Sequence, residues 1–513
     1  MKFLLGIITT TFIAYSIKAQ QPVTYYPPYF ADSSIRLEKI KTALPLIDKI
    51  YTEYAQQNHF SSIAYGIVVD GKLIHTNYIG FINIEKKINA NNQSAYRIAS
   101  MTKSFTAMAI LKLRDEGKLQ LDDVASKYIP ELKNQFYTTK DAPPITIRHL
   151  LTHMAGFPED NPWGDRQLAR TDNELMQLLN KKLSFSNNAG VAYEYSNLGF
   201  TLLGYIIKKV SGLSYENYIT KNILQPLGMN HTYWEYNNVS TNNLVHGYRW
   251  LNNNYVEQPL LHDGAFGAMG GMITTIEDFS KYVIFNLSVW PPNNNKEIGP
   301  VKRSSVREMH HAWNFSALNT NFKYATGRAT PLATAYGYGL RWSKDGEGRV
   351  SIGHTGGLPG FGSNWSILPD YGIGVILFAN ATYASTAYIN TQVLDTLIAV
   401  AQLQPRQLKP SSILEERKQQ LLTLLPNWNN AEATNIFADN FFLDYFIDSL
   451  QKEATTIFNK AGKILQVKNM IPGNNLRGSF IIECANNNIE ISFTLTPENP
   501  ALIQEYHIKL IKK

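Results

Sequence analysis

Ser100 and Lys103 stand three residues apart in the run Arg97-Ile-Ala-Ser-Met-Thr-Lys-Ser-Phe-Thr. Three residues is nearly one helical turn, so a helix here puts the hydroxyl and the amine on one face. An alcohol is a poor nucleophile until a base takes its proton. A lysine serves as that base only when burial or neighbouring cations lower its pKa. Ser-x-x-Lys therefore points to acyl transfer. The pattern recurs at Ser449 and Lys452, so spacing alone decides nothing and the residues around it must.

Two further clusters supply that company. Tyr195-Ser196-Asn197 sits where a helix begins. A tyrosine there can take or relay the serine proton if cations depress its pKa, and the asparagine amide can hold a substrate carbonyl or orient the lysine. His354-Thr355-Gly356-Gly357 sits where a strand gives way to a glycine-rich turn, whose backbone a substrate can approach closely. A free N–H there, with that of Ser100 at a helix start, would suit an oxyanion hole. Each cluster alone also has a plain structural reading: core aromatic, helix cap, strand histidine. Together they favour chemistry.

In the order Ser-x-x-Lys, Tyr-x-Asn, His-Thr-Gly, the chain resembles the class C β-lactamase and penicillin-binding-protein-like family of serine hydrolases, which includes esterases and D-aminopeptidases. The runs Ile147-Arg-His-Leu-Leu-Thr-His-Met-Ala-Gly-Phe-Pro and Gly267-Ala-Met-Gly-Gly-Met-Ile-Thr-Thr-Ile-Glu-Asp agree with it, across roughly residues 45–401. The resemblance implies an α+β fold, with an antiparallel sheet flanked by helices and a helical lobe beside it. It also implies Ser100 as acylated nucleophile, with Lys103 and Tyr195 as a coupled activating pair. Asn197, His354, Thr355 and Gly356 would support the substrate, and the Ser100 and Gly357 N–H groups would bind the oxyanion. Lactam-binding relatives carry Lys-Thr-Gly where this chain has His354-Thr355-Gly356. A neutral histidine gives a substrate carboxylate no fixed cation, which turns the expectation towards esters and D-amino-acid peptides or amides, with β-lactams a third class.

The elements that must bring these clusters together are legible in part. A helical pattern runs from Ser34 towards Gln57. Asp70-Gly71 between β-rich runs marks a hairpin. Strands are expected at 350–354, 362–368 and 371–378, with mostly helix and loop in the roughly 250 residues between hairpin and strands. Thr146 can cap a helix from Ile147 to Met154. Ser196 can cap one that carries Leu198, Leu202, Leu203, Ile206 and Val210 and stops at Gly212. Thr275 with Asp278 makes a capping box before 279–287. Pro405 and Pro410 mark a linker. Beyond it, residues 413–513 read as a small α+β accessory domain with no chemistry-bearing cluster, beside a hydrolase domain at 34–404.

Composition bounds the rest. The chain has 513 residues, 44% hydrophobic and 17% charged, with a formal charge of +7 and a pI of about 9.0. This is a globular composition, and the charge forms no basic run or basic–aromatic stripe, so a nucleic-acid partner is not expected. Met1–Ala19 reads as a signal peptide, which implies a periplasmic or secreted protein of bacterial type, and no later segment reads as membrane-spanning. Cys484 is the only cysteine, so no intramolecular disulfide can form. No cofactor or metal is called for. His149 and His153 have zinc-like spacing but no glutamate base or third ligand, and read as structural. Asp122-Asp123 reads as a solvated cap, and the aromatic run at Phe441-Phe-Leu-Asp-Tyr-Phe as core or contact surface. Gly-x-Ser-x-Gly, His-Glu-x-x-His and Walker A motifs are absent. The competing expectation is a weakly catalytic sensor that uses its C-terminal module to bind a partner.

Overall fold

The computed structural model describes residues 25–513, so the leader read at Met1–Ala19 lies outside the described residues. They divide into two compact units: Ala31–Pro405, and Arg406–Lys513 with the described residues before Ala31.

The larger unit opens with helix α1 (Arg36–Gln57), whose Ile40, Ala43, Ile47 and Tyr51 recur at helical spacing and are buried. Strands β1 (Ser62–Val69) and β2 (Lys72–Asn83) form the hairpin, and Asp70 and Gly71 both take the positive φ that a type I′ turn requires (+48° and +80°). The short β3 (Ile88–Asn89) follows. Next come α2 (Lys103–Asp115), α3 (Ile147–Leu151), α4 (Asn197–Ser211) and α5 (Ile276–Ser288). The sheet resumes with β4 (Asn314–Lys323), β5 (Ala329–Tyr336) and β6 (Arg341–Asp345). It is completed by β7 (Val350–Leu358), β8 (Phe361–Leu368) and β9 (Ile373–Ala379), followed by α6 (Thr386–Val400).

These strands make one nine-stranded antiparallel sheet in the order β3-β2-β1-β9-β8-β7-β6-β5-β4, built from both ends of the unit. β1 is buried along its whole length because both faces are covered. Ile63, Tyr65 and Ile67 pack with Ile40 and Tyr51 of α1 and Val393 and Leu397 of α6. Ala64 and Val68 face the core that holds Phe279 and Tyr282 of α5, which also runs through Phe105 of α2 and Leu202 of α4. α2, α3 and α4 thus form a lobe against the sheet. The arrangement is the α+β architecture expected from the sequence, an antiparallel sheet flanked by helices with a helical lobe beside it.

Three strands, β4 to β6, lie where the sequence suggested helix and loop. β4 is an edge strand with mostly exposed, polar residues (Asn314-Phe-Ser-Ala-Leu-Asn-Thr-Asn-Phe-Lys), so it lacks the apolar alternation that marks a strand. α3 ends at Leu151, short of Met154, and His153 has already left helical geometry at φ +55°.

In the smaller unit, α7 (Ser412–Leu424) and α8 (Ile447–Ala461) accompany a five-stranded antiparallel sheet. Its strands are β10 (Ile464–Val467), β11 (Ile471–Asn474), β12 (Arg477–Cys484), β13 (Asn488–Leu495) and β14 (Ile503–Ile511). This unit has its own core around Leu414, Trp428, Phe441, Phe480 and Ile491. Phe441 is buried, whereas Leu443 and Phe446 are exposed. Among the described residues, no helix is long and apolar enough to cross a membrane.

Candidate active site

Ser100 occupies a 3-10 turn (Ala99–Thr102) that runs directly into α2. The turn is entered through Ala99 at φ +49°, a left-handed conformation that costs a non-glycine residue about 1–2 kcal/mol. The first hydrogen bond of the turn is made by the Met101 N–H to the Ile98 carbonyl, which leaves the Ser100 N–H without an acceptor inside the turn. Strand β7 comes very close: a Cβ on Gly356 would sit 2.1 Å from the Ile98 carbonyl oxygen, so only glycine fits.

Lys103 is fully buried one turn on. Its Nζ lies 2.9 Å from Ser100 Oγ, 2.7 Å from Asn197 Oδ1 and 2.8 Å from the Met269 carbonyl oxygen. Burial lowers its pKa to about 7, opposed by the charges of Asp165 and Asp160 and reinforced by Arg341. Two of its neighbours, Asn197 Oδ1 and the Met269 carbonyl, can only accept. A neutral amine therefore turns its two N–H bonds to them and its lone pair to the serine hydroxyl.

Asn197 is the first residue of α4 and is buried, with its amide committed to Lys103 and, through Nδ2, to Asn161 and Asp165. Of the two readings left open for it, orienting the lysine is the one this geometry supports. Asp160 binds the Asn197 and Leu198 N–H groups at 2.6 and 2.8 Å, capping α4 together with Ser196. Tyr195 packs its ring 5.1 Å from Lys103 Nζ and 5.6 Å from the Arg341 guanidinium. Burial pushes its phenol well above its ordinary value, although a hydrogen bond with Ser100 opposes this.

The His354 side chain is buried behind β7. Its Nδ1 lies 2.6 Å from the Thr355 carbonyl oxygen, which can only accept, so Nδ1 carries the proton. Nε2 then accepts from the Tyr336 hydroxyl at 2.8 Å. Burial, with Arg341 and Lys103 nearby, holds the imidazole well below its usual pKa, and it is neutral at pH 7.

Thr355, Gly356 and Gly357 do reach Ser100, and with it they line a cleft of about 230 Å³. β6 pairs only with Val350–Gly353 of β7, so from Thr355 onward that side of the strand is free to face the cleft, while its other side stays paired with Phe361–Asn364 of β8. His149 and His153 take structural roles. His149 Nδ1 accepts from Thr146 N–H in the capping box, and His153 Nδ1 accepts from Ser196 N–H while its ring lies 4.3 Å from that of Tyr195. Asp122 pairs with Arg148.

Three cleft residues carried no signal in the sequence. Arg341, opposite Gly353 in the sheet, is solvent-accessible through the cleft and ringed by tyrosines. Asp165 is buried, with its carboxyl pushed up to about 6 by burial and pulled down by Lys103. Tyr383 donates to Asp165 at 3.1 Å and covers Gly357, where a Cβ would meet its ring at 2.8 Å.

Known proteins share this framework. Protein flp of Staphylococcus aureus (strain MRSA252) is 30% identical over 340 residues, 65% of this chain and 62% of that protein. Beta-lactamase-like protein 2 of Dictyostelium discoideum is 32% identical over 267 residues, 50% of this chain and 47% of that one. The chain thus spans less than two thirds of these curated relatives. Among solved structures, the octameric penicillin-binding protein homologue from Pyrococcus abyssi matches with a TM-score of 0.57 at 23% identity, covering 89% of this chain and 91% of that one. A class C beta-lactamase matches at 0.55 and 22%, covering 71% and 98%. The model of the Beta-lactamase family matches residues 47–398, and the sheet of the smaller unit lies beyond that region. That match takes in every cleft residue described above, and the chain belongs to the beta-lactamase family.

Proposed function

We propose that this chain is a serine hydrolase that works through an acyl-enzyme on Ser100. The observation that carries the reading is the buried Lys103 amine, 2.9 Å from Ser100 Oγ and held by two acceptors that direct its lone pair at the hydroxyl. In the forward step the Ser100 proton passes to Lys103 Nζ as Oγ attacks the substrate carbonyl carbon. The oxyanion is received by the N–H groups of Ser100 and Gly357. With its pKa raised by burial, Tyr195 enters as a phenol and gives its proton to the leaving group as the acyl bond breaks. The Lys103 ammonium restores that proton, and the neutral amine then activates the water that hydrolyses the Ser100 ester.

Arg341 supplies the fixed cation that His354 does not, which makes a carboxylate on the substrate compatible with this cleft. Peptides or amides with a D-amino acid at the cleaved bond and small esters are the substrates we propose, with β-lactams a lesser class. The leader reading makes the enzyme an exported one.

The test is a fluorophosphonate probe followed by turnover. Labelling of the wild type but not of Ser100→Ala is expected, with measurable hydrolysis of a nitrophenyl ester, a D-amino-acid anilide or a chromogenic lactam. If neither protein is labelled and none of the three is turned over, the chain is the non-catalytic binding protein instead.

A further inference from the structure

The Ser100 cleft does not end at Arg341. Arg341 and Thr355 also line a second cavity of about 230 Å³ on the same sheet, between β4–β8 and the start of α6. That cavity in turn shares Leu332, Ser343, Ser351 and Thr391 with a third of about 90 Å³. The far end is closed by Arg328 and Arg349, whose charges are matched by Asp345, Glu347 and Asp395 at 2.8–3.0 Å. A ligand reaching it meets no unpaired cation, and three carboxylates against two guanidinium groups leave a net negative charge.

The floor of the middle cavity is hydroxylic. Ser343 lies directly opposite Ser351 across β6 and β7, and Ser366 lies opposite Gly353 across β7 and β8. All three serines are half-buried, and among the described residues none partners their side-chain hydroxyls. Hydroxyls both donate and accept, which suits alternating amide N–H and C=O groups better than an apolar tail or an ion.

We propose that this groove is a leaving-group site for an extended peptide: the amide chain on the departing side of the scissile bond runs past Arg341 over Ser343, Ser351 and Ser366. The assignment rests on the acyl-enzyme reading for its orientation. It implies cleavage with several residues beyond the bond, not only release of a terminal one.

The test uses the full chain and peptide amides that share one acyl group and carry one, two or three uncharged residues on the leaving side. For the wild type, kcat/KM should rise about ten-fold or more from the one-residue to the three-residue leaving group. Ser343→Trp fills the groove from the sheet and Thr391→Trp from α6, and each should abolish that ratio. A length-independent wild type would overturn the proposal, as would a ratio that survives in both variants, or a preference for an oligosaccharide leaving fragment. Binding to Ser100→Ala separates this from the hydrolase reading. Calorimetry should show the released tripeptide binding to Ser100→Ala and not to Ser100→Ala/Ser343→Trp, whatever the turnover. No binding to either would overturn the groove while leaving Ser100 labelling untouched.

Discussion

The Tyr336 hydroxyl donates to Nε2 of His354 at 2.8 Å, and with Nδ1 held by the Thr355 carbonyl the imidazole has no free nitrogen. It is a neutral strut between the sheet and the Tyr195 ring. His354→Lys would bury a new cation beside Arg341 and Lys103, which already disfavour charge there. A loss of about 2–4 kcal/mol is expected in denaturant unfolding, with no gain in turnover of carboxylate-bearing substrates over neutral esters. Unchanged stability with a raised lactam-to-ester ratio would contradict this account.

The pH dependence follows from Lys103. The neutral amine is the active form, so kcat/KM should climb through about pH 7 and fall below it as the amine gains its proton. Arg341 lowers the lysine pKa and Asp165 raises it. The acidic limb should therefore move to higher pH in Arg341→Gln and to lower pH in Asp165→Asn, read from pH–rate profiles. Lys103→Ala should lower acylation about 10²–10⁴-fold.

Arg341→Ala should cost carboxylate-bearing substrates roughly 10–100-fold in kcat/KM relative to neutral esters of similar size, the loss expected for a charge-assisted contact of about 1.5–3 kcal/mol. Parallel losses on both classes would show that Arg341 tunes the base without binding the acid group.

Gly357 and Tyr383 form a pair that can be tested by rescue. A methyl group on Gly357 would press on the Tyr383 ring at 2.8 Å and shift the oxyanion N–H. Gly357→Ala should reduce kcat about 10²-fold, in the range for a displaced oxyanion donor. Gly357→Ala/Tyr383→Ala should recover part of that loss, because with the ring gone the nearest Tyr383 atom is its Cα at 3.9 Å.

Ser100, Lys103, Tyr195 and Asn197 were legible in the sequence because each works through local geometry: one helical turn, or the first residues of α4. Thr355 to Gly357 were legible because their glycines mark a close approach. Arg341 was not. It reaches the cleft only through the register of β6 on β7, and β6 belongs to the polar part of the sheet that carries no strand pattern. Asp165 and Tyr383 are 218 residues apart and meet only once the lobe and sheet have closed, so no spacing announces them. The capped helices and the Asp70-Gly71 hairpin were readable from side-chain chemistry, whereas β4, although it pairs with the adjacent β5, is too polar and exposed to carry an alternating pattern.

The amine of Lys103 is gripped by Ser100 beside it and by groups from two remote stretches of chain, Asn197 of α4 and Met269 of the glycine-rich run. In a nascent or partly unravelled chain, the same lysine is an ordinary hydrated ammonium near pKa 10.4 and cannot rouse the serine. Reactivity is thus conferred last, by closure itself, and in a misassembled copy the serine stays dormant.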